Sequence, residues 1–297
     1  MRQEAAYLAV QSICREYNVS ICRMCAIAGI ARASCYKWLN REIPEAELLN
    51  EAIAEAVMSI HKEYPDKGHR RIRDDLLRDY GFDVSDRRVL RICRVLGIKS
   101  TIKYERNSCT VNAKDPQHIS ENILKRNFRA DAPNEKWLTD VTEFKYYEGS
   151  EKRKVYLSAI LDLYDRRIVA YVIGDSNNNP LVYDTFKKAV TSYPDAHPLF
   201  HSDRGFQYTN AVFHEMLTEH GMTQSMSRVG KCIDNGPIEG FWGILKRECY
   251  YGKRFESRED IVDMIESYIY YYNNRRYQRQ LGVVTPVEKY EQYLSAA

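Results

Sequence analysis

Three acids sit where a folded chain could turn carboxylates into chemistry. Asp140 interrupts a run of strand-forming residues, Trp137-Leu138-Thr139-Asp140-Val141-Thr142, where an acid is disfavoured unless it is exposed or functional. Asp203 follows His201-Ser202 at the C-terminal end of a predicted strand, which is where α/β sheets place ligands. Glu239 comes soon after Asn235-Gly236-Pro237, in the first turn of a predicted helix. Carboxylate oxygens are hard donors that suit Mg²⁺. Two such ions about 3.5–4 Å apart can clamp the entering and leaving oxygens of a phosphodiester and promote deprotonation of the nucleophile. A fourth acid, Asp162 in Leu161-Asp162-Leu163, could point to the same place, and residue types alone do not choose between it and Asp140.

The elements that must position these acids are legible as patterns. Residues 136–147, 155–163 and 167–173 are rich in strand formers and closely spaced, which predicts three strands in an antiparallel meander. A helix over 179–192, a strand over 197–201, a helix over 210–220, a strand over 222–226 and a helix over 237–249 follow. Three antiparallel strands and then alternating helices and strands make a mixed five-stranded α/β sheet, the order expected of a ribonuclease-H-like domain. In that fold the first and fourth strands are neighbours, which would bring Asp140 and Asp203 together. The run Tyr268, Tyr270, Tyr271 and Tyr272 reads as the core face of a terminal helix rather than a base-stacking surface.

The first third of the chain is helical. Ser20 caps one helix, Ala28-Gly29-Ile30 turns, and a second helix carries Arg32, Ser34 and Lys37, the plan of a helix-turn-helix whose second helix enters the major groove. A further helical unit has Ile53, Val57 and Ile60 on one face, a turn at Tyr64–Gly68 leading to Arg70 and Arg71, and a last helix from Val84-Ser85 with Arg87, Arg88, Arg91 and Arg94 on its polar face. Gly97 ends it. Residues 99–133 lack sustained periodicity apart from a short predicted helix over 119–128, and read as a basic linker able to order on DNA. The expected domains are therefore 1–46, 47–98, a linker over 99–133, and a catalytic core with C-terminal helices over 134–297.

Bulk composition agrees with this division. Of 297 residues, 44% are hydrophobic and 29% charged, enough for real cores and charged surfaces. The net charge is only +3, but residues 87–129 hold eleven Lys/Arg against Glu105, Asp115 and Glu121, a local excess that on its own fits either a nucleic-acid footprint or a solvated surface. No apolar run is long enough to span a bilayer and no secretory leader is recognisable, so a cytoplasmic, membrane-free protein is expected. Cys22 and Cys25 form a lone Cys-x-x-Cys without a second ligand pair, which argues against a zinc finger.

Taken together, these stretches resemble the second-reading-frame protein of the IS-three group of bacterial insertion-sequence transposases, relatives of retroviral integrases. The matching residues are Trp137 with Thr139-Asp140-Val141-Thr142, His201-Ser202-Asp203-Arg204-Gly205 with Gln207-Tyr208, and Ser225-Met226-Ser227-Arg228. They continue through Asp234-Asn235, Glu239, Phe241, Leu245-Lys246 and Glu248, to Tyr272-Asn273, Arg276, Leu281 and Thr285-Pro286. Thirty-five residues separate Asp203 from Glu239, the spacing characteristic of that group. Gly240 stands where many relatives carry Ser, and His69 where an aromatic such as Tyr is common.

The resemblance implies a transposase that binds element ends and carries out metal-dependent strand cleavage and strand transfer. It selects Asp140 over Asp162 as the first acid of an Asp-Asp-Glu trio with Asp203 and Glu239, holding two Mg²⁺ or Mn²⁺ ions. His201, Asp162 and Asn235 are then expected to support the trio. Lys246, seven residues after Glu239 and so on the same helical face, is expected on DNA phosphate, with Arg32, Lys37, Arg70, Arg71, Arg87 and Arg91 as further DNA contacts. The implied partners are double-stranded DNA (terminal inverted repeats and target), further copies of the chain on that DNA, and an upstream first-frame protein. Two other readings compete: a metal-dependent nuclease without strand transfer, and a DNA-binding regulator without catalysis.

Overall fold

The computed structural model describes residues 4–102, 117–228 and 232–296, so Lys103, Glu105, Arg106, Lys114 and Asp115 of the basic stretch lie outside the described residues. The chain divides into two compact units, Met1–Ala56 and Val57–Ala297. The first holds α1 (Glu4–Glu16), α2 (Ile21–Ile27), α3 (Arg32–Leu39) and the beginning of α4 (Glu45–Glu63). Ser20 caps α2 by accepting from the Arg23 N–H at 3.4 Å, and Gly29 takes a left-handed turn at φ 65°. Tyr7, Val10, Cys25 and Cys35 form its small core. Cys25 is buried there while Cys22 is exposed, so the two thiols of the Cys-x-x-Cys serve different surroundings.

The second unit opens with the rest of α4, then α5 (His69–Asp79) and α6 (Asp86–Val95). Ser85 caps α6 through the Arg88 N–H. Val89, Ile92 and Cys93 are buried, whereas Arg87, Arg91 and Arg94 are exposed, the division that a 3.6-residue period imposes. A sheet follows: β1 (Lys136–Glu148), β2 (Glu151–Asp162), β3 (Ile168–Gly174), β4 (Leu199–Ser202) and β5 (Thr223–Met226), ordered β3-β2-β1-β4-β5. β1, β2 and β3 pair antiparallel, and β4 and β5 continue the sheet parallel to β1. The hairpin between β1 and β2 is longer than the hydrophobic pattern suggests. It closes at Glu148 opposite Glu151 across Gly149-Ser150, and its tip carries exposed charges that periodicity cannot see.

Both faces of the sheet are covered. Alternate residues of β1 and β2 face opposite ways: Leu138, Ala159 and Leu161 pack with α9 (Gly236–Leu245) and α10 (Arg258–Asn274), and Trp137 and Ile160 pack with α7 (Asn179–Ser192) and α8 (Ala211–Glu219). Tyr268 and Tyr272 of α10 are buried in the first of these cores and Tyr270 is exposed. α11 (Pro286–Ala296) completes the described elements.

The expected helix over 119–128 does not form. Lys125 and Arg126 take positive φ angles of 46° and 64°, which a right-handed helix forbids. Local backbone donors are claimed by side chains instead: Ser225 Oγ accepts from the Ile123 and Leu124 N–H groups, and Asn122 Oδ1 from that of Lys125. Part of the expected linker is thus docked on the core, with Leu124 buried and the Glu121 carbonyl accepting from Met226 N–H.

A buried ion cluster joins α5 to the far end of this unit. Glu248 accepts from Arg71 at 2.9 Å, Arg276 at 2.8 Å and the Tyr268 hydroxyl at 2.8 Å. Burial works against the Glu248 anion, but Arg276 and Arg71 overcome it and hold its pKa below the usual range. Arg71 also binds Asp66 and the Tyr271 hydroxyl. Its guanidinium is therefore engaged by partners within the fold. Replacing Glu248 by Gln leaves the largely buried Arg276 guanidinium without a carboxylate and Arg71 with Asp66 alone, and should cost about 3–5 kcal/mol, measured as a lower urea midpoint of unfolding.

Candidate active site

The parallel register of β1 and β4 builds the first half of the site. Trp137 pairs with Phe200 and Leu138 with His201, so two residues further along both chains Asp140 and Asp203 arrive at the same level. β4 ends at Ser202, and Asp203 turns out of the sheet with Oδ1 accepting from the Gly205 N–H at 2.8 Å. A side chain at Gly205 would bring its Cβ within 3.0 Å of Asp203 Oδ1 and Gln207 Oε1, which explains why glycine stands there. Glu239 joins from the first turn of α9. That helix follows a 3-10 turn, Cys232–Asn235, fixed by Asp234. The buried Asp234 carboxylate accepts from Arg228, Arg126 and Asn122, and the Arg228 hydrogen bonds in particular hold its pKa far below the usual range.

Several groups orient Asp140. Trp242 Nε1 donates to Asp140 Oδ2 at 2.9 Å. Asn235 Nδ2 donates to the Thr139 carbonyl at 3.1 Å, leaving Asn235 Oδ1 buried and unpartnered among the described residues. Thr139 Oγ1 donates to the Ala159 carbonyl at 3.0 Å and lies 3.3 Å from the hydroxyl of the buried Tyr208. Trp242 and Tyr208 were not singled out from sequence. Trp242 had a findable signal, because it lies three residues after Glu239 and so shares its helical face. Tyr208 had none beyond its place in the Gln207-Tyr208 pair.

The electrostatics of the trio are those of crowded anions. Burial pushes the Asp140 carboxyl well above the usual range, Asp203 and Glu239 add to the rise, and the Val141 N–H and Trp242 oppose it. Burial also raises Asp203, against the Gly205 N–H. Glu239 is raised by burial and then by Asp203. Among the described residues no Lys or Arg forms an ion pair with any of the three, and no three His, Cys, Asp or Glu side chains converge closely enough to hold a metal ion as they stand. Two oxygen-only acids side by side with a third in electrostatic reach fit a hard divalent cation, whose charge would relieve their repulsion.

The other expected site residues are placed as follows. Asp162 pairs with Trp137, three residues from Asp140 along β1. It is wholly buried and accepts from Asn134 N–H, Tyr164 N–H and Trp137 Nε1, so it closes the β2–β3 turn. Both ring nitrogens of His201 are engaged by β5 and its continuation, Nδ1 by Ser225 Oγ at 2.8 Å and Nε2 by Ser227 Oγ at 3.1 Å. It fastens β4 to β5 and does not bond Asp203. Lys246 continues the α-helical backbone from Glu239, its N–H donating to the Trp242 carbonyl, and begins a π-helical turn, Lys246–Tyr250; its Nζ sits 5.1 Å from the centre of the Phe144 ring. Arg32, Lys37, Arg70, Arg87 and Arg91 are all exposed, and Arg32 donates to Cys22 Sγ.

Comparison with known proteins gives this geometry a context. Residues 130–232 and 239–294 match two families that are each described as an integrase core domain, and residues 48–106 match one described as an HTH-like domain. An uncharacterised transposase-like protein of Haemophilus influenzae is 42% identical over 71% of this chain and 95% of its own length. The putative transposase InsK of insertion sequence element IS150 from Escherichia coli K12 is 37% identical over 74% of this chain and 76% of its own. Among solved structures, the catalytic core domain of HTLV-2 integrase in complex with magnesium matches with a TM-score of 0.41 at 19% identity, over 55% of this chain and 99% of that one.

His201 makes a pH test of the site's frame. Burial lowers its pKa from 6.5 to about 4, so the folded chain keeps the imidazole neutral while the unfolded chain takes up a proton first. Its stabilisation is complete above pH 6.5 and falls away as pH drops towards 4, by about 3 kcal/mol. The His201→Gln variant should lose that part of the slope in urea unfolding followed across this range. An unchanged slope would refute the buried neutral imidazole.

Proposed function

The chain belongs to the insertion-sequence transposases that carry an integrase core, its function is that of a DNA transposase, and we propose that Asp140, Asp203 and Glu239 are its catalytic acids. The observation that carries this reading is the β1–β4 register, which sets Asp140 and Asp203 side by side with no Lys or Arg paired to either among the described residues. Asp140, Asp203 and Glu239 would hold two Mg²⁺ or Mn²⁺ ions. Bound there, they would supply charge neutralisation at the entering and leaving phosphate oxygens. Glu239 has no hydrogen bond or ion pair among the described residues, so its side chain can turn inward about its own torsions.

The chain's own residues do the rest. Trp242 fixes the rotamer of Asp140, and the Gly205 N–H fixes that of Asp203. Asn235 ties the strand carrying Asp140 to the entry of the helix carrying Glu239. The three acids are thereby held on rigid elements before DNA arrives, which is what a displacement at phosphorus requires of its site. DNA is held elsewhere, by the exposed arginines of α6 and, in the first unit, by Arg32 and Lys37 of α3. The partners read this way are the element's terminal repeats, target DNA and further copies of the chain.

The test is an in vitro reaction with labelled element ends, a supercoiled target and Mg²⁺ or Mn²⁺. The wild-type chain should yield joined product. Asp140→Asn, Asp203→Asn and Glu239→Gln should each lose cleavage and joining almost completely while still binding DNA. Trp242→Phe, which removes only a partner of a metal-binding acid, should cost about 10–100-fold in activity or metal affinity. Cleavage without joining would make the chain a nuclease, and a triple variant that still cuts would sink the assignment of the trio.

A further inference from the structure

Behind α9, on the side away from the acids, lies a cavity of about 620 Å³. α9 is its partition: Gly236, Pro237, Gly240 and Ile244 line the cavity, whereas Trp242 reaches Asp140. The opposite wall is basic. Arg70, Arg71, Arg166, Arg276 and Arg279 all line it, against Asp74 as the one acid among its lining residues.

These arginines are not equivalent. Arg71 and Arg276 are bound to Glu248, and Arg279 spans Asp74 and Asp86. Arg70 and Arg166 have no carboxylate within ion-pair distance among the described residues. Arg70 is exposed at the mouth and Arg166 half-buried. Burial lowers the Arg166 pKa, opposed only in part by Tyr272 and Asp162, and its backbone is held left-handed at φ 66°. A guanidinium kept partly desolvated on a strained backbone and facing an open cavity is an anion contact awaiting its anion.

We propose that this groove binds the phosphodiester backbone of DNA, with Arg166 and Arg70 on successive phosphates of a strand that crosses the first turn of α9. Membership of the DNA transposases favours nucleic acid over an acidic peptide as the occupant. An α-helix with its side chains is about 10–12 Å across, so a strand passing over α9 would put a few nucleotides at most between a phosphate at Arg166 and one at the acids. That count rests on Asp140, Asp203 and Glu239 being the catalytic acids. Gly240 contributes room, since a Cβ there would meet nothing within 4 Å and a backbone can pass close.

Arg166→Gly tests the groove in the full chain, because glycine suits the left-handed backbone while the guanidinium is removed. With a labelled duplex of random sequence as probe, binding should weaken about tenfold. The slope of log affinity against log salt should become shallower by about 0.9. The thermal midpoint should hold. If Arg166→Gly lowers that midpoint, the exposed Arg70→Ala variant carries the test with the same expected changes. Unchanged affinity and slope in a folded variant would overturn the proposal. So would intact DNA binding with lost capture of a labelled polyglutamate peptide, which would assign the groove to a protein partner. Asp140→Asn, run in parallel, separates the two readings: if it cuts like the wild type the catalytic assignment falls, and the binding measurements at Arg166 stand on their own.

Discussion

Parallel pairing of β4 against β1 is the constraint on which the site depends. Only three residue pairs define it, from Lys136 with Leu199 to Leu138 with His201. Yet a slip by one residue would turn Asp203 to the other face of the sheet. The register is guarded on both sides. His201 is pinned to Ser225 and Ser227, and Trp137 packs edge-on against Phe200. The acids are held in place by neighbours that touch no substrate.

That placement has an electrostatic cost the fold meets in two different ways. At Glu248 and Asp234, buried carboxylates are matched by arginines and their pKa values fall. At Asp140, Asp203 and Glu239 no arginine is supplied and the values rise. Arginine pairing thus distinguishes Glu248 and Asp234 from the three acids of the proposed site, although Asp165 pairs with Arg167 and is still raised to about 7. Burial raises acids outside the trio as well: Asp162 is as deeply buried as any, accepts from backbone N–H groups, and is still pushed above the usual range.

Much of this was legible in the sequence, for stated reasons. Strand and helix periods placed the sheet elements, and Ser20 and Ser85 announced the caps they make. Asp203 and Glu239 could be found because each stands at the boundary of an element. Asp140 needed family resemblance to be preferred over Asp162, because the strand pattern treats both alike and only the β1–β2 register shows them three residues apart. The rest was written in contacts distant along the chain. The segment around Leu124 looked helical until Ser225, a hundred residues on, took its backbone donors. The ion pair of Arg71 with Glu248, far along the chain, was equally invisible. Local pattern has no access to such pairings.

The Glu248 cluster also has a mechanical meaning. Arg71 stands on α5, two turns before the loop that leads to α6, and Arg276 follows α10, which packs on the sheet. With Glu248 clasping both, and Arg279 bound to Asp74 and Asp86 beside them, the arginine face of α6 and the acids of β1 and β4 belong to one stiff body. A duplex held by α6, as proposed, would thus meet the sheet at a span set by the protein, as between the jaws of a fixed gauge. The distance from grip to cut would then be a property of the fold and not of a flexible tether.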